Sequence, residues 1–93
     1  MIIWYSRECS SCAGNQALSK MKAYCKKRGV EFQERRTILW ERYEQEANEI
    51  MDAYDVKMPF FYATNSGEVL VGNTFTPIED IQKLVNKEIE NAN

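Results

Sequence analysis

Apolar residues recur along this chain with the period of strands in some segments and of helices in others. The uninterrupted apolar run Met1–Tyr5 predicts a buried strand. Leu18, Met21 and Cys25 follow at helical spacing and predict an amphipathic helix. Val30–Glu34 then alternates with period two, as a strand with one covered face does. A strand, a helix and a strand in this order predict a parallel pair joined by a right-handed crossover.

The middle of the chain predicts a second helix and a hairpin. Thr37–Tyr54 carries an apolar residue every three to four positions and acidic residues between them, which is typical of a helix with an acidic outer face. The apolar positions of this helix are Leu39, Tyr43, Ala47, Ile50 and Tyr54. Lys57–Ala63 predicts a strand that opens near a proline, and a small polar turn connects it to Glu68–Val71. These two strands are expected to form an antiparallel hairpin.

The start of the last helix carries a capping signal. Thr76 is expected to cap the helix, Pro77 to occupy its first position and Glu79 to complete a capping box. The whole pattern predicts one α/β domain over residues 1–93, with the order β-α-β-α-β-β-α. We expect a four-stranded mixed sheet with helices on both faces.

Composition and charge exclude several classes of protein. An apolar and aromatic share of 44% is typical of a folded globule, and no apolar run is long enough to span a bilayer. Met1 begins directly in a strand without a leader-like segment, so we expect a cytoplasmic protein. Residues 1–36 carry a charge of +5 and residues 37–93 a charge of −7. The basic helix lacks aromatic stacking partners, so we expect no nucleic-acid binding. Without a spanning apolar run, we also expect no membrane association.

Candidate chemistry lies at Cys9 and Cys12, which stand two residues apart between the first strand and the first helix. A helix N-terminus stabilises a thiolate on the first sulfur, as does the nearby Arg7, whereas Glu8 opposes the effect. Cys12 would lie one turn further along the helix. The spacing therefore predicts a redox pair in which Cys9 is the nucleophile and Cys12 resolves the mixed disulfide.

The remaining cysteine does not fit a metal site with this pair. The chain contains no histidine, and Cys25 lies thirteen residues beyond Cys12, a distance of about 20 Å along a helix. These thiols cannot share one zinc ion, and we expect no metal site. Cys25 on the apolar stripe is expected to be a small core residue.

The arrangement of these motifs resembles the thioredoxin superfamily, and the chain is most similar to small phage-type dithiol glutaredoxins. Tyr5–Cys12 resembles the active-site segment of the family, with Arg7 two positions before the first cysteine. Met58–Phe61 resembles its cis-proline segment, and Val71–Thr76 its turn before the last helix. The resemblance covers nearly the whole chain and implies a thioredoxin/glutaredoxin fold.

The resemblance also implies an activity and a set of binding residues. It implies an enzyme that reduces protein disulfides or glutathione mixed disulfides, with glutathione as the reductant. The implied substrate- and glutathione-binding residues are Arg7, Ser11, Met58, Pro59, Thr74 and Thr76. A cis bond before Pro59 would place the Met58 backbone opposite Cys9, where it could pair with an extended substrate. Ribonucleotide reductase is one protein partner that the resemblance suggests, and we expect a monomer.

Departures from the family pattern keep two alternatives open. Ser10–Ser11 replaces the usual Pro-Tyr dipeptide, and Thr76–Pro77 stands where an aspartate is expected near the helix start. A weaker glutathione site would suit a hydrogen donor that a thioredoxin reductase reduces. The other alternative is a noncatalytic redox sensor, or a module in which Cys9 and glutathione ligate an iron–sulfur cluster between two subunits.

Overall fold

The computed structural model describes residues 1–7 and 16–92 of the 93-residue chain. Seven elements follow one another in the predicted order: β1 (Ile2–Ser6), α1 (Gln16–Arg28), β2 (Phe32–Arg36), α2 (Glu41–Tyr54), β3 (Phe60–Ala63), β4 (Val69–Val71) and α3 (Ile78–Glu90). Within the described ranges, no helix is long and apolar enough to cross a membrane. The prediction of an α/β chain with three helices and four strands is confirmed.

The four strands form one mixed sheet in the order β2-β1-β3-β4. β1 runs parallel to β2, with Ser6 beside Arg36, and antiparallel to β3, with Tyr5 beside Phe60. β3 and β4 form the predicted antiparallel hairpin, in which Phe60 lies beside Val71. The carboxyl ends of β1, β2 and β4 and the amino end of β3 therefore lie together. We call this side of the sheet the carboxyl edge.

The side chains of β1 alternate between two apolar layers, because successive strand residues point to opposite faces. Ile2 and Trp4 pack with residues of α1 and α3, whereas Ile3 and Tyr5 pack with residues of α2. The helices accordingly cover both faces of the sheet, as predicted. Trp4 and Phe61 are almost fully buried, and their ring centroids lie 4.5 Å apart.

The end of α1 follows from a glycine and two hydrogen bonds. Gly29 adopts a φ of 70°, which is a conformation that residues with a side chain rarely tolerate. Its N–H donates to the carbonyl of Lys26, and the N–H of Val30 donates to that of Cys25. This pair of bonds satisfies carbonyls that the helix end leaves open.

The second strand and second helix both begin later than predicted. Val30 follows α1 and its N–H donates to Cys25 at the end of that helix, so β2 starts only at Phe32 and continues to Arg36, in register with β1. After β2, the N–H of Thr37 donates to the carbonyl of Ser6 (2.8 Å). The chain thus stays beside β1, and α2 begins only at Glu41.

This later helix start also changes the expected apolar face of α2. Leu39 lies outside the helix and its side chain is 64% exposed, so its assignment to the buried stripe was wrong. Ala47 is fully buried and Ile50 is partly buried in the second apolar layer, as the pattern predicts. Tyr54 ends the helix half-exposed, with its hydroxyl donating to the carbonyl of Gly67.

The predicted capping box of the last helix is also wrong. Pro77, not Thr76, immediately precedes the first helical residue, and no side chain caps the helix. The Thr76 hydroxyl instead donates to the carbonyl of Val71 and accepts the N–H of Asn73, both at 2.9 Å. Thr76 therefore closes the turn after β4 instead of capping α3.

A buried carboxylate in α3 holds the opposite edge of the sheet together. Glu88 is only 1% exposed, and its carboxylate pairs with the N-terminal ammonium of Met1 at 2.7 Å. It also accepts the Thr64 hydroxyl and the backbone N–H groups of Asn65 and Ser66. One side chain thus joins α3, the start of β1 and the turn after β3.

Candidate functional site

A cavity of about 560 Å³ opens at the carboxyl edge of the sheet, where β1 ends. Its lining comes from the end of β1, the start of the β2–α2 connection, α2 and the segment before β3: Trp4, Ser6, Arg7, Thr37, Glu44, Asn48, Met51, Lys57, Met58 and Pro59. Arg7 is the last described residue before the segment that contains both candidate cysteines, and Gln16 is the first after it. The cavity therefore borders the point at which the chain enters that segment.

Backbone hydrogen bonds hold the walls of the cavity. The N–H of Ile38 donates to the carbonyl of Arg7 at 3.1 Å, which ties the β2–α2 connection to the end of β1. On the other side, the N–H of Gly72 donates to the carbonyl of Pro59 at 3.2 Å. The peptide bond between Met58 and Pro59 is cis, as the sequence predicts. The two walls are thus anchored to neighbouring strands of one sheet.

Two buried polar atoms belong to residues of this cavity. The Nε1 atom of Trp4 and the Oγ atom of Ser6 have no hydrogen-bond partner among the described residues, although their side chains are 1% and 5% exposed. Buried donors are almost always paired, because leaving one unpaired costs free energy. Both atoms are shielded from solvent, so each is an unpaired polar group that the described part of the fold leaves at a cost in stability.

The cavity is also lined by charged residues. Among the described lining residues, Arg7 and Lys57 are exposed and carry positive charge, and Glu44 carries negative charge. Because the whole chain has a net charge of −2, this local excess of positive charge is not a consequence of overall composition. It favours an anionic ligand at the cavity mouth.

The predicted site residues fall into three groups. Arg7, Met58 and Pro59 line the same cavity. Thr74 and Thr76 lie in and after the turn that follows β4 and do not line it, and the Thr76 hydroxyl is already engaged with backbone groups. Cys9, Ser11 and Cys12 lie outside the described residues.

Sequence reasoning missed several residues of the cavity. Trp4 and Ser6 alternate with Ile3 and Tyr5 in β1, so their common face could have been inferred from the strand period. Lys57 directly precedes the Met58–Pro59 segment, so its place in the sequence could have identified it as a residue of the site. Asn48 could not be found in this way, because its position depends on how α2 packs across the sheet.

The hydroxyl of Tyr5, on the opposite face of β1, is committed to a structural network. It donates to Glu46 at 2.9 Å and accepts from Arg35 at 3.1 Å, and Arg35 also pairs with Glu46 at 2.7 Å. Burial, together with the hydrogen bond to Glu46, raises the pKa of Tyr5 to about 12. Tyr5 therefore remains protonated at neutral pH and links β1 with β2 and α2.

Cys25 is a core residue, as predicted. Its side chain is 1% exposed and packs in the apolar layer beneath α1. Burial raises the pKa of its thiol to about 11. Because the thiolate is the reactive form of cysteine, Cys25 is inert at neutral pH.

Gly72 lies against the buried wall of the cavity, and we expect its replacement by alanine to destabilise the fold. A Cβ atom at this position would overlap Cζ3 of Trp4 and stand 2.8 Å from Cε2 of Phe61. Both rings are buried and cannot swing aside, so Gly72→Ala should lower the free energy of unfolding by about 3 kcal/mol, at the upper end of overpacking costs. Urea denaturation measures this.

The control for this variant is Gly29→Ala, where no atom lies within 4 Å of the added Cβ but φ is positive. Backbone strain alone should cost about 1–2 kcal/mol there. If Gly72→Ala costs no more than Gly29→Ala, close approach of the two rings is not the reason for glycine at position 72.

The described part of the site can bind and orient a ligand, but no cysteine is among its described lining residues. Among residues 1–7 and 16–92, no group of three or more His, Cys, Asp or Glu side chains could hold a metal ion. The cavity offers two cations, Arg7 and Lys57, and an apolar wall at Met58 and Pro59. Comparisons with protein-family models, curated proteins and solved structures found no match to this chain.

Proposed function

We propose that this protein is a dithiol thiol–disulfide oxidoreductase of the glutaredoxin type, with Cys9 as the nucleophile and Cys12 as the resolving thiol. The observation that carries the proposal is the cavity beside the end of β1. The chain enters the Cys9–Cys12 segment at Arg7, and Arg7 lines this cavity together with Met58 and Pro59. Sites of open α/β sheets lie at this edge.

The proposed reaction proceeds in two exchanges. The Cys9 thiolate attacks one sulfur of a substrate disulfide, forming a mixed disulfide and releasing the other sulfur as a thiolate, which takes up a proton. The Cys12 thiol loses its proton and attacks Cys9, which forms the Cys9–Cys12 disulfide and releases the second substrate thiol. The substrate gains two electrons and two protons. Two molecules of glutathione then return the electrons and leave as oxidised glutathione.

The described residues support this chemistry through charge and shape. Arg7 follows β1 directly, and a cation near Cys9 favours its thiolate form over the thiol. Arg7 and Lys57 at the cavity mouth suit the carboxylates of glutathione. The proposed glutathione-binding set also includes Ser11, Met58 and Pro59. The resemblance adds Thr74 and Thr76, which lie in and after the turn that follows β4 and outside the cavity lining. The sheet order is compatible with a thioredoxin-like fold.

The proposal extends to the setting of the enzyme. A catalytic dithiol that glutathione reduces operates in a reducing compartment, so we propose a cytoplasmic location. Disulfide-bearing proteins, including ribonucleotide reductase, are the proposed partners. We propose that the enzyme acts as a monomer.

Steady-state reduction of the mixed disulfide of hydroxyethanethiol and glutathione, with glutathione, glutathione reductase and NADPH, tests the proposed function. We expect turnover that depends on enzyme concentration. If no turnover occurs but thioredoxin reductase reduces the oxidised protein, the protein is instead a hydrogen donor for that reductase. If neither system reduces a Cys9–Cys12 disulfide, the catalytic proposal is wrong.

A further inference from the structure

Three consecutive large apolar residues lie exposed in the connection between β2 and α2. Ile38 is 66% exposed, Leu39 is 64% exposed and Trp40 is 50% exposed. We call these three residues the 38–40 loop. Connections usually carry small polar residues, and a run of exposed apolar side chains is unfavourable in water unless another molecule covers it.

The fold does not use these side chains as core. None of the three belongs to either apolar layer of the sheet. Trp40 contacts Tyr43 edge-on, with ring centroids 4.9 Å apart, but half of its surface stays exposed. The 38–40 loop is therefore a surface available for contact with another molecule.

The position of the 38–40 loop connects it with the candidate site. The N–H of Ile38 donates to the carbonyl of Arg7, and the preceding residue, Thr37, lines the cavity. An extended segment of a partner protein that has one residue at the cavity could therefore place the side chain of an adjacent residue on the 38–40 loop. This makes the loop a contact surface for a partner larger than glutathione.

Charge indicates what kind of partner fits. The guanidinium of Arg42 lies over the Trp40 ring, 5.8 Å from its centroid, and Arg7 and Lys57 stand at the adjoining cavity. Among the described cavity-lining residues and residues 38–44, the cations Arg7, Arg42 and Lys57 exceed the acids Glu41 and Glu44 by one. If a second copy of the chain docked through the same surface, the cations of the two copies would lie close together and repel each other.

We infer that the 38–40 loop and the cations beside it form a docking surface for an acidic segment of a protein disulfide substrate that carries large apolar side chains. The inference rests on the proposed oxidoreductase function and names the substrate class of that site. Apolar side chains of the partner cover Ile38, Leu39 and Trp40, and its carboxylates face Arg42, Arg7 and Lys57. Such charge complementarity speeds association and selects the partner.

Two synthetic peptide disulfides test the inference. Both carry the same cysteines, phenylalanine and leucine, and they differ only in flanking residues, which are aspartate in one and lysine in the other. We expect the wild-type protein to reduce the aspartate peptide with a kcat/KM about tenfold above that for the lysine peptide, which corresponds to about 1.4 kcal/mol. Equal values for the two peptides would overturn the charge argument.

Three variants locate the surface. The double variant Ile38→Ser/Leu39→Ser should lower kcat/KM for the aspartate peptide about tenfold through KM, because two exposed apolar contacts are lost. Arg42→Glu should remove most of the preference for the aspartate peptide. Phe75→Ser is the matched control, because Phe75 is an even more exposed apolar residue (89%) at the far side of the same edge. An equal loss in Phe75→Ser would contradict the assignment to the 38–40 loop.

The small glutathione mixed disulfide separates this inference from the proposed function. All three variants should reduce it at the wild-type rate, because they leave the cavity residues unchanged. No wild-type turnover of this substrate would mean that the proposed function fails, whereas normal turnover without peptide selectivity would mean that only the docking surface fails. Sedimentation analysis tests whether a second copy of the chain occupies the 38–40 loop instead. Self-association that Ile38→Ser/Leu39→Ser abolishes would overturn the inference in favour of a dimer.

Discussion

Cys9→Ser is expected to abolish disulfide turnover, with a loss on the order of a thousandfold or more, as when other enzymes lose their nucleophile. A serine hydroxyl at this position remains protonated and cannot attack a disulfide sulfur at neutral pH. Cys12→Ser should behave differently. It can still exchange through Cys9 with a glutathione mixed disulfide but cannot resolve a protein mixed disulfide, so it should retain only the first activity.

Cys25→Ala is the matched control for these cysteine variants. Because burial raises the pKa of Cys25 to about 11, its thiolate does not contribute at neutral pH, and the variant should keep wild-type turnover. The rate of iodoacetamide alkylation against pH should show one reactive thiol that titrates well below 8.5, the ordinary value for cysteine. A reactive thiol that is lost in Cys25→Ala instead of Cys9→Ser would contradict the assignment of the nucleophile.

Glu88→Ala is expected to cause the largest loss of stability, about 3–5 kcal/mol, as when one partner of a buried ion pair is removed. The substitution leaves the backbone N–H groups of Asn65 and Ser66 without their acceptor and the Met1 ammonium without its counter-ion. Urea denaturation of protein without an N-terminal tag measures this effect. Glu90→Gln, an exposed change in the same turn of α3, should change stability by less than about 0.5 kcal/mol.

The pH dependence of stability gives an independent test of the Glu88 contacts. Burial by itself raises the pKa of Glu88, but hydrogen bonds from the N-terminal ammonium and from two backbone N–H groups outweigh it, and the pKa is lowered. Stability from this group is therefore fully present above the ordinary glutamate pKa of about 4.3 and is lost as the pH falls through the lowered folded value. Glu88→Gln should flatten this acid limb of the stability curve. An unchanged acid limb would show that Glu88 does not bind its partners as a carboxylate.

Local patterns were sufficient for most of the elements. The apolar stripe of α1 follows from helical spacing, and the cis bond at Pro59 agrees with the resemblance. The starts of β2 and α2 could not be predicted, because backbone hydrogen bonds between Thr37 and Ser6 and between Ile38 and Arg7 extend the pairing with β1. Such bonds join residues about thirty positions apart, and no local pattern encodes them.

Thr76 illustrates the same limit at the scale of one side chain. Its position before Pro77 favours a helix cap, but its hydroxyl satisfies the turn after β4 instead. Both arrangements satisfy buried polar groups, and the choice between them depends on where β4 ends relative to α3. Propensity describes the residue alone, whereas tertiary packing determines which partners lie within reach.

The amino-acid sequence by itself determined the order of the elements, the inert core position of Cys25 and the spacing of Cys9 and Cys12, because each depends on neighbours within a few residues. Only the tertiary structure brought Arg7, Lys57, Met58 and Pro59 to one cavity and left the 38–40 loop exposed beside it. Those features depend on which strands pair and on which face each helix covers. Sheet pairing joins distant parts of the chain, so its consequences appear only when the sheet has formed.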